Sequence, residues 1–304
     1  MNLYINKAKE NWVVDRFRSE WNDYNFKISN NYLFGKSPIW IIAPWTWKSL
    51  NKYYLKRRKV VCTIHHIDED NFTIDKIKEF NERDKYVNLY HSISNKTTEQ
   101  LMKYTNKDII TIPFWVNQKI WRELNNKDEL RKKYGFSKND YLVGSFQRDT
   151  EGYDLKSPKL SKGPDRFIEI IKKINFDKKN VKVVLSGKRR NYVISNLEKL
   201  NIDYKYFEMT KFETLNELYN ILDLYIVASR YEGGPQSISE CALTKTPIIS
   251  TDVGIASEIL SKESIFNMDN FLDAIPNTSH ALRNIEKYKI PNGFKKFNDM
   301  FNSL

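Results

Sequence analysis

Glu232 and Glu240 bracket Gly233-Gly234-Pro235-Gln236-Ser237, a run with the makings of a turn that opens onto a helix. Glycines at 233 and 234 let backbone N–H groups come close to a ligand. Pro235 suits the first position of a helix, where its missing N–H is no loss. The helix N-terminus then offers unpaired N–H groups and a partial positive charge, which together form an anion site. A carboxylate on each side would repel a phosphate and is better matched to hydroxyl groups that donate to it. The constellation therefore fits a phosphate that carries a sugar. An isolated pair of acids at this spacing is usually a loop charge and a solvated helix face. The Gly-Gly-Pro between them, and an apolar run on each side, favour the site. A second basic stretch, Lys188-Arg189-Arg190, follows Gly187. It suits a phosphate or a base, and suits a solvated turn equally well.

Such side chains need a scaffold that holds several loops at one edge. The second half of the chain supplies it as alternating strands and helices. Strands are expected at 141–146, 181–187, 204–209, 224–229 and 247–251, where apolar and β-branched residues run together. Helices are expected at 164–174, 215–222 and 236–244, with apolar residues spaced for one face. This is the pattern of a doubly wound parallel sheet, whose ligands bind beyond the carboxyl ends of the strands. The first half repeats it less clearly, with strands at 38–44, 59–64 and 108–114 and helices at 77–86 and 96–104. A polar, charged stretch at 125–140 marks a boundary. It gives an N-terminal domain over 1–135, a C-terminal ligand-binding domain over 136–290, and a last helix over 291–304 able to pack back on the first domain.

Composition separates the same two halves. The net charge is +12 over 304 residues. Residues 1–138 carry 26 Lys+Arg against 16 Asp+Glu, or +10, and the remainder carries 24 against 22, or +2. All seven Trp lie at or before Trp121, and seven of the ten Gly lie between Gly144 and Gly254. Two cysteines, Cys62 and Cys241, exclude a disulfide framework and a Cys-based zinc site. No run of 18 apolar residues is present, and the N-terminal segment lacks the apolar stretch of a signal peptide. A cytoplasmic location is expected. The basic half, with LKRRK at 55–59 and Trp40, Trp45 and Trp47, suits peripheral contact with the inner face of a membrane. The same features also fit a solvated patch and core tryptophans.

The stretch E-G-G-P-Q-S-I-S-E resembles the Glu-x(7)-Glu signature of retaining GT-B-fold glycosyltransferases, notably glycosyltransferase family 4. That resemblance implies two Rossmann-like α/β domains facing a cleft, here with a shortened N-terminal domain. It implies that Glu232 contacts the donor sugar and Glu240 the nucleotide ribose. From the turn, the helix start and the basic run, Gly233, Gly234, Pro235, Gln236, Ser237 and Lys188 are expected to line the donor. The segment GSFQRDTEGYDLKSPKLSKGPDRFIEII resembles the one in which an Arg and a Lys-Gly clamp the donor diphosphate, placing Arg148 and Lys162 in those roles. An Arg fork and a Lys point charge suit a dianion. Thirteen residues separate them here against about four in the family, so Lys159 is an alternative for the Lys, and 149–158 reads as an inserted loop. VVCTIHHID resembles the strand that delivers a His to the cleft, with His65 matching better than His66. The following Asp68-Glu69-Asp70 looks like the metal motif of a different glycosyltransferase fold, whose context is missing.

These features together predict transfer of a hexose from a UDP- or GDP-linked sugar to a glycan, lipid-linked or other hydroxyl acceptor, in glycan, polysaccharide or glycolipid synthesis. The resemblance further implies retention of anomeric configuration, no metal and no cofactor. Arg148, Lys162, Glu232 and His65 would carry the chemistry. The alternatives are a nucleic-acid-binding protein built on the basic aromatic half, a glycosyltransferase acting on modified DNA, and a GT-B nucleotide-sugar isomerase.

Overall fold

A computed structural model describes every residue except Met1, Asn11, Asn31, Phe34 and Lys179. The chain divides into two units, residues 1–115 with 290–304, and residues 116–289.

In the first unit, six short runs form one parallel sheet. They are β1 (Leu3–Ile5), β2 (Ser29–Asn30), β3 (Ile39–Ile41), β4 (Val60–Ile64), β5 (Leu89–Ser92) and β6 (Ile109–Thr111), in the order β2-β1-β3-β4-β5-β6. Helices α1 (Val13–Tyr24), α2 (Lys52–Leu55), α3 (Ile74–Asp84) and α4 (Asn95–Leu101) connect them. Ser94 caps α4, its Oγ accepting from the Thr97 N–H at 3.2 Å. The core on one face is aromatic. Trp21, Trp40, Trp115, Phe17 and Phe114 pack with Phe294, Phe297 and Phe301, the last two from the C-terminal helix α12 (Lys295–Asn302). Trp40 and Trp47 are fully buried and Trp45 is 46% exposed, so the early tryptophans divide between core and surface.

The second unit holds a parallel sheet of β7 (Tyr141–Ser145), β10 (Val181–Ser186), β11 (Tyr204–Phe207), β12 (Leu224–Val227), β13 (Ile248–Thr251) and β14 (Ile265–Phe266), in the order β11-β10-β7-β12-β13-β14. A separate antiparallel hairpin pairs β8 (Thr150–Glu151) with β9 (Ser157–Pro158). The helices are α5 (Lys127–Lys133), α6 (Pro164–Asp177), α7 (Asn191–Lys199), α8 (Phe212–Ile221), α9 (Gln236–Thr244), α10 (Ala256–Ile259) and α11 (Thr278–Ile285). In α6 the spacing of Phe167, Ile168, Ile170, Ile171 and Ile174 puts one apolar stripe against the sheet, which is why the sequence forms a helix there.

The unit boundary corrects the sequence expectation. It falls after Trp115, not at 135–136. Polar composition at 125–140 marks a boundary in the sequence, yet the polar groups there and just before it are spent on the second unit. Arg131 donates to Asp223 Oδ2 at 2.6 Å and to Ile221 O, and Lys127 pairs with Asp223 at 3.0 Å. The Arg122 and Leu124 N–H groups donate to the Asn216 and Asn220 side chains. Residues 290–304 belong to the first unit.

Candidate functional site

The carboxyl ends of β7 and β12 carry the loops of interest. Residues 228–235 run from β12 into α9, and 159–163 run from the hairpin into α6. Two glycines fix how closely these loops approach. Gly163 has φ +62° and a Cβ there would sit 1.9 Å from Ala228 O. Gly254 has φ +52° and a Cβ would sit 2.1 Å from Gly233 O. Only glycine tolerates both the left-handed backbone and the contact. The Arg230 and Tyr231 N–H groups both donate to Ser161 O, at 2.8 and 3.1 Å. Arg230 forks onto both oxygens of Asp165 at 2.8 and 2.6 Å, locking the two loops together. The same pairing holds the Asp165 carboxyl below its ordinary pKa.

Within this frame Lys162 Nζ pairs with Glu232 Oε1, and both side chains are mostly buried. Gln147 Nε2 donates to Lys162 O at 3.0 Å, and Ser229 Oγ lies 3.4 Å from Glu232 Oε1. Gln147, Ser229, Arg230 and Asp165 were missed by sequence reasoning. Only the tight Lys162-Gly163-Pro164 turn hinted at this junction. Arg148 is half-buried, and its Nε donates to Thr150 O at 3.0 Å. Lys159 is half-buried nearby. Burial lowers its pKa first, and the charges of Lys162 and Arg148 lower it further.

Glu240 is buried in the second turn of α9, where its Oε2 accepts from the Tyr219 hydroxyl at 2.8 Å. Gly233 and Pro235 are buried, and Gly234, Gln236 and Ser237 are half-buried along the turn and first helical turn. The Tyr225 hydroxyl accepts from the Phe146 N–H at 2.9 Å. Lys188 is exposed just beyond Gly187. The basic run divides there, because Arg190 is buried and pairs with Asp149 at 2.6 Å. His65 belongs to the first unit, at the carboxyl end of β4. Its Nε2 donates to Ile42 O at 2.8 Å, and its ring stacks on Phe114 with Trp45 beside it. His66 is half-buried next to it. Asp68 accepts from Asn71, and Glu69 accepts from Gln100 and Lys103. Among the described residues no group of three His, Cys, Asp or Glu side chains is arranged to hold a metal ion. No helix among the described residues is long and apolar enough to cross a membrane.

The family model described as glycosyl transferases group 1 matches residues 126–287. A search of curated protein sequences finds no relative. Among solved structures, Anabaena HepE in complex with UDP-glucose superposes with a TM-score of 0.79 at 12% identity, covering 99% of each chain. Sucrose-phosphate synthase from Thermosynechococcus elongatus gives 0.69 at 11% identity, over 95% of this chain and 76% of that one. A glycosyltransferase from Rickettsia africae ESF-5 gives 0.66 at 18% identity, over 100% and 83%. At these identities the similarity establishes the fold, GT-B with Rossmann-like parallel-sheet domains.

Proposed function

Because this chain belongs to the glycosyl transferases group 1 family, we propose that its second unit binds a UDP- or GDP-linked hexose and that the enzyme passes the sugar to an acceptor hydroxyl with retention of configuration, as in family 4. The observation that carries this reading is the Lys162–Glu232 pair beside the Gly233–Gly234 turn. It sets a cation for phosphate next to an acceptor for sugar hydroxyls. HepE, with UDP-glucose in its structure, supports the donor class.

As the bond from sugar to diphosphate breaks, negative charge grows on the leaving group. Arg148, Lys162 and the N–H groups that open α9 meet that charge, without a metal or cofactor. The sugar becomes oxocarbenium-like, and Glu232 orients its hydroxyls. Glu240 takes the ribose. The departing phosphate accepts the proton of the incoming hydroxyl, with no covalent protein nucleophile. Acceptor binding falls to the first unit, with His65 as a contact. The test is incubation with UDP- and GDP-hexoses and a panel of hydroxyl acceptors, with the product anomer read by NMR. An α-linked product from an α-donor is expected. An inverted product overturns retention, and failure of both UDP and GDP to bind overturns the donor site.

We also propose that the acceptor is met near an anionic membrane. Residues 24–67 contain no acid and eight Lys or Arg, and Phe26, Tyr32 and Tyr53 are among the most exposed large apolar side chains. Basic charge with exposed aromatic rings matches an anionic lipid interface. Sedimentation with phosphatidylglycerol vesicles that salt reverses is expected. Salt-sensitive duplex DNA binding without vesicle binding would favour the nucleic-acid reading instead.

A further inference from the structure

The inserted segment between Arg148 and Lys162 has a defined architecture. Its strands pair Thr150 with Pro158 and Glu151 with Ser157, leaving a tip at 152–156 where Tyr153 is fully exposed. Its foot is rigid. Asp149 and Arg190 are 1–2% exposed and joined at 2.6 Å. Arg190 also donates to Ser145 O, Ser186 O and Ser145 Oγ, so each of its three guanidinium nitrogens is engaged. The Asp149 and Thr150 N–H groups both donate to Arg189 O, and Thr150 Oγ1 accepts from the Tyr192 N–H at 2.8 Å. The hairpin is thus bolted to the start of α7.

Two cations hang from that foot. The Lys159 N–H donates to Asp149 O at 2.8 Å, and Arg148 Nε donates to Thr150 O at 3.0 Å. Among the described residues, neither the Lys159 ammonium nor the two terminal nitrogens of Arg148 has a hydrogen-bond or ion-pair partner. Lys162, by contrast, is already committed to Glu232. An ordinary surface lysine also points an ammonium at water. It is not also partly buried, with its pKa lowered first by that burial and then by Lys162 and Arg148, against the opposing charges of Glu151 and Glu232. With Glu232 already paired to Lys162, three cations still outnumber two carboxylates there, and a bound anion would offset the excess.

We propose that Lys159 is a third direct ligand of the donor diphosphate, delivered by the inserted hairpin, and that the buried Asp149–Arg190 pair is the positioning device that aims it. The inference rests on the donor-site reading above. It gives the insertion a role in which the hairpin brings its own cation and Lys162 is shared between phosphate and the Glu232 carboxylate. The chemical class recognised is a nucleoside diphosphate, since the cluster faces phosphate charge and reads no base.

The test compares UDP and GDP with uridine and guanosine, using calorimetry for the diphosphates and ligand-observed NMR for the weaker nucleosides. Lys159→Met should weaken the preferred diphosphate about tenfold or more and leave the matching nucleoside unchanged. Lys159→Arg should restore most of the loss. Asp149→Asn should weaken the diphosphate in the wild-type background and add little in the Lys159→Met background, because both changes act through one ammonium. Melting curves verify that each variant is folded. If wild type binds a diphosphate and Lys159→Met binds it equally, the inference is overturned while the donor site stands. If Asp149→Asn is additive with Lys159→Met, the pair has only a structural role and the positioning claim fails. If wild type binds neither UDP nor GDP, the donor-site reading falls and takes this inference with it.

Discussion

Two buried polar networks, one in each unit, are built in opposite ways. In the first, Trp40 Nε1 donates to Thr63 Oγ1 at 2.8 Å, Thr63 lies 2.9 Å from His91 Nδ1, and His91 Nε2 lies 2.8 Å from Ile112 O. Every link is satisfied with His91 neutral, its Nε2–H donating and its Nδ1 accepting. Burial pushes the His91 pKa down to about 3, so the neutral form is the one the fold requires. Around this chain lie stacked and edge-on rings of Trp21, Trp40, Phe114 and Phe297. The network in the second unit is charged. It pairs Asp149 with Arg190 in the interior and leaves Lys159, Lys162 and Arg148 close together at the strand ends. A neutral network with no group left over holds a core together. A charged one with cations in surplus is prepared for an anion from outside.

Four outcomes would sharpen or break that contrast. The largest is Arg190→Met. It strands the buried Asp149 charge and should cost about 3–5 kcal/mol in chemical denaturation of the second unit. A loss under about 1 kcal/mol would show that the ion pair anchors nothing. Next, Lys162→Met removes a cation aimed at the leaving group. Turnover should fall about 10²–10³-fold, with a smaller loss of stability than Arg190→Met because Glu232 is less deeply buried than Asp149, and full turnover would remove Lys162 from the mechanism. In the first unit, Thr63→Val keeps the volume but leaves the Trp40 N–H and His91 Nδ1 without partners. A loss of about 1–3 kcal/mol is expected. That is smaller than the Arg190 effect because neutral groups are cheaper to strand than charges, and an equal loss would erase the distinction.

The fourth outcome is a pH dependence, read as a slope rather than as a single loss. Unfolded, His91 takes up a proton near its ordinary pKa of 6.5, whereas folded it resists until about 3. Its contribution to stability is therefore complete above pH 6.5 and is lost as pH falls toward 3. The slope approaches about 1.4 kcal/mol per pH unit. His91→Gln should lose that part of the slope in acid titrations of the first unit's unfolding. An unchanged slope would mean that His91 is charged in the fold.

The parallel sheets, the turn at 232–237 and the candidate acids were readable because each rests on local chemistry. Apolar β-branched runs make buried strands, and Gly-Gly-Pro admits one kind of turn. The first 30 residues were not readable. Strands β1 and β2 are three and two residues long, and α1 buries Arg16 and Glu20 beside Phe17 and Trp21, so neither period stands out. The polar stretch at 125–140 reads as a domain boundary and residues 116–135 as part of the first domain, because the partners of their polar groups lie 80 to 100 positions away, on α8 and at Asp223. Sequence alone determined which residue types line the turn at 232–237. Only the tertiary structure decided that Arg190 serves as an internal anchor while Lys188 stays exposed, and that Lys162 is taken by Glu232 while Lys159 is not. Side chains in one short basic run have the same composition-level chemistry. Their roles separate only when burial and distant partners set the energy of each charge.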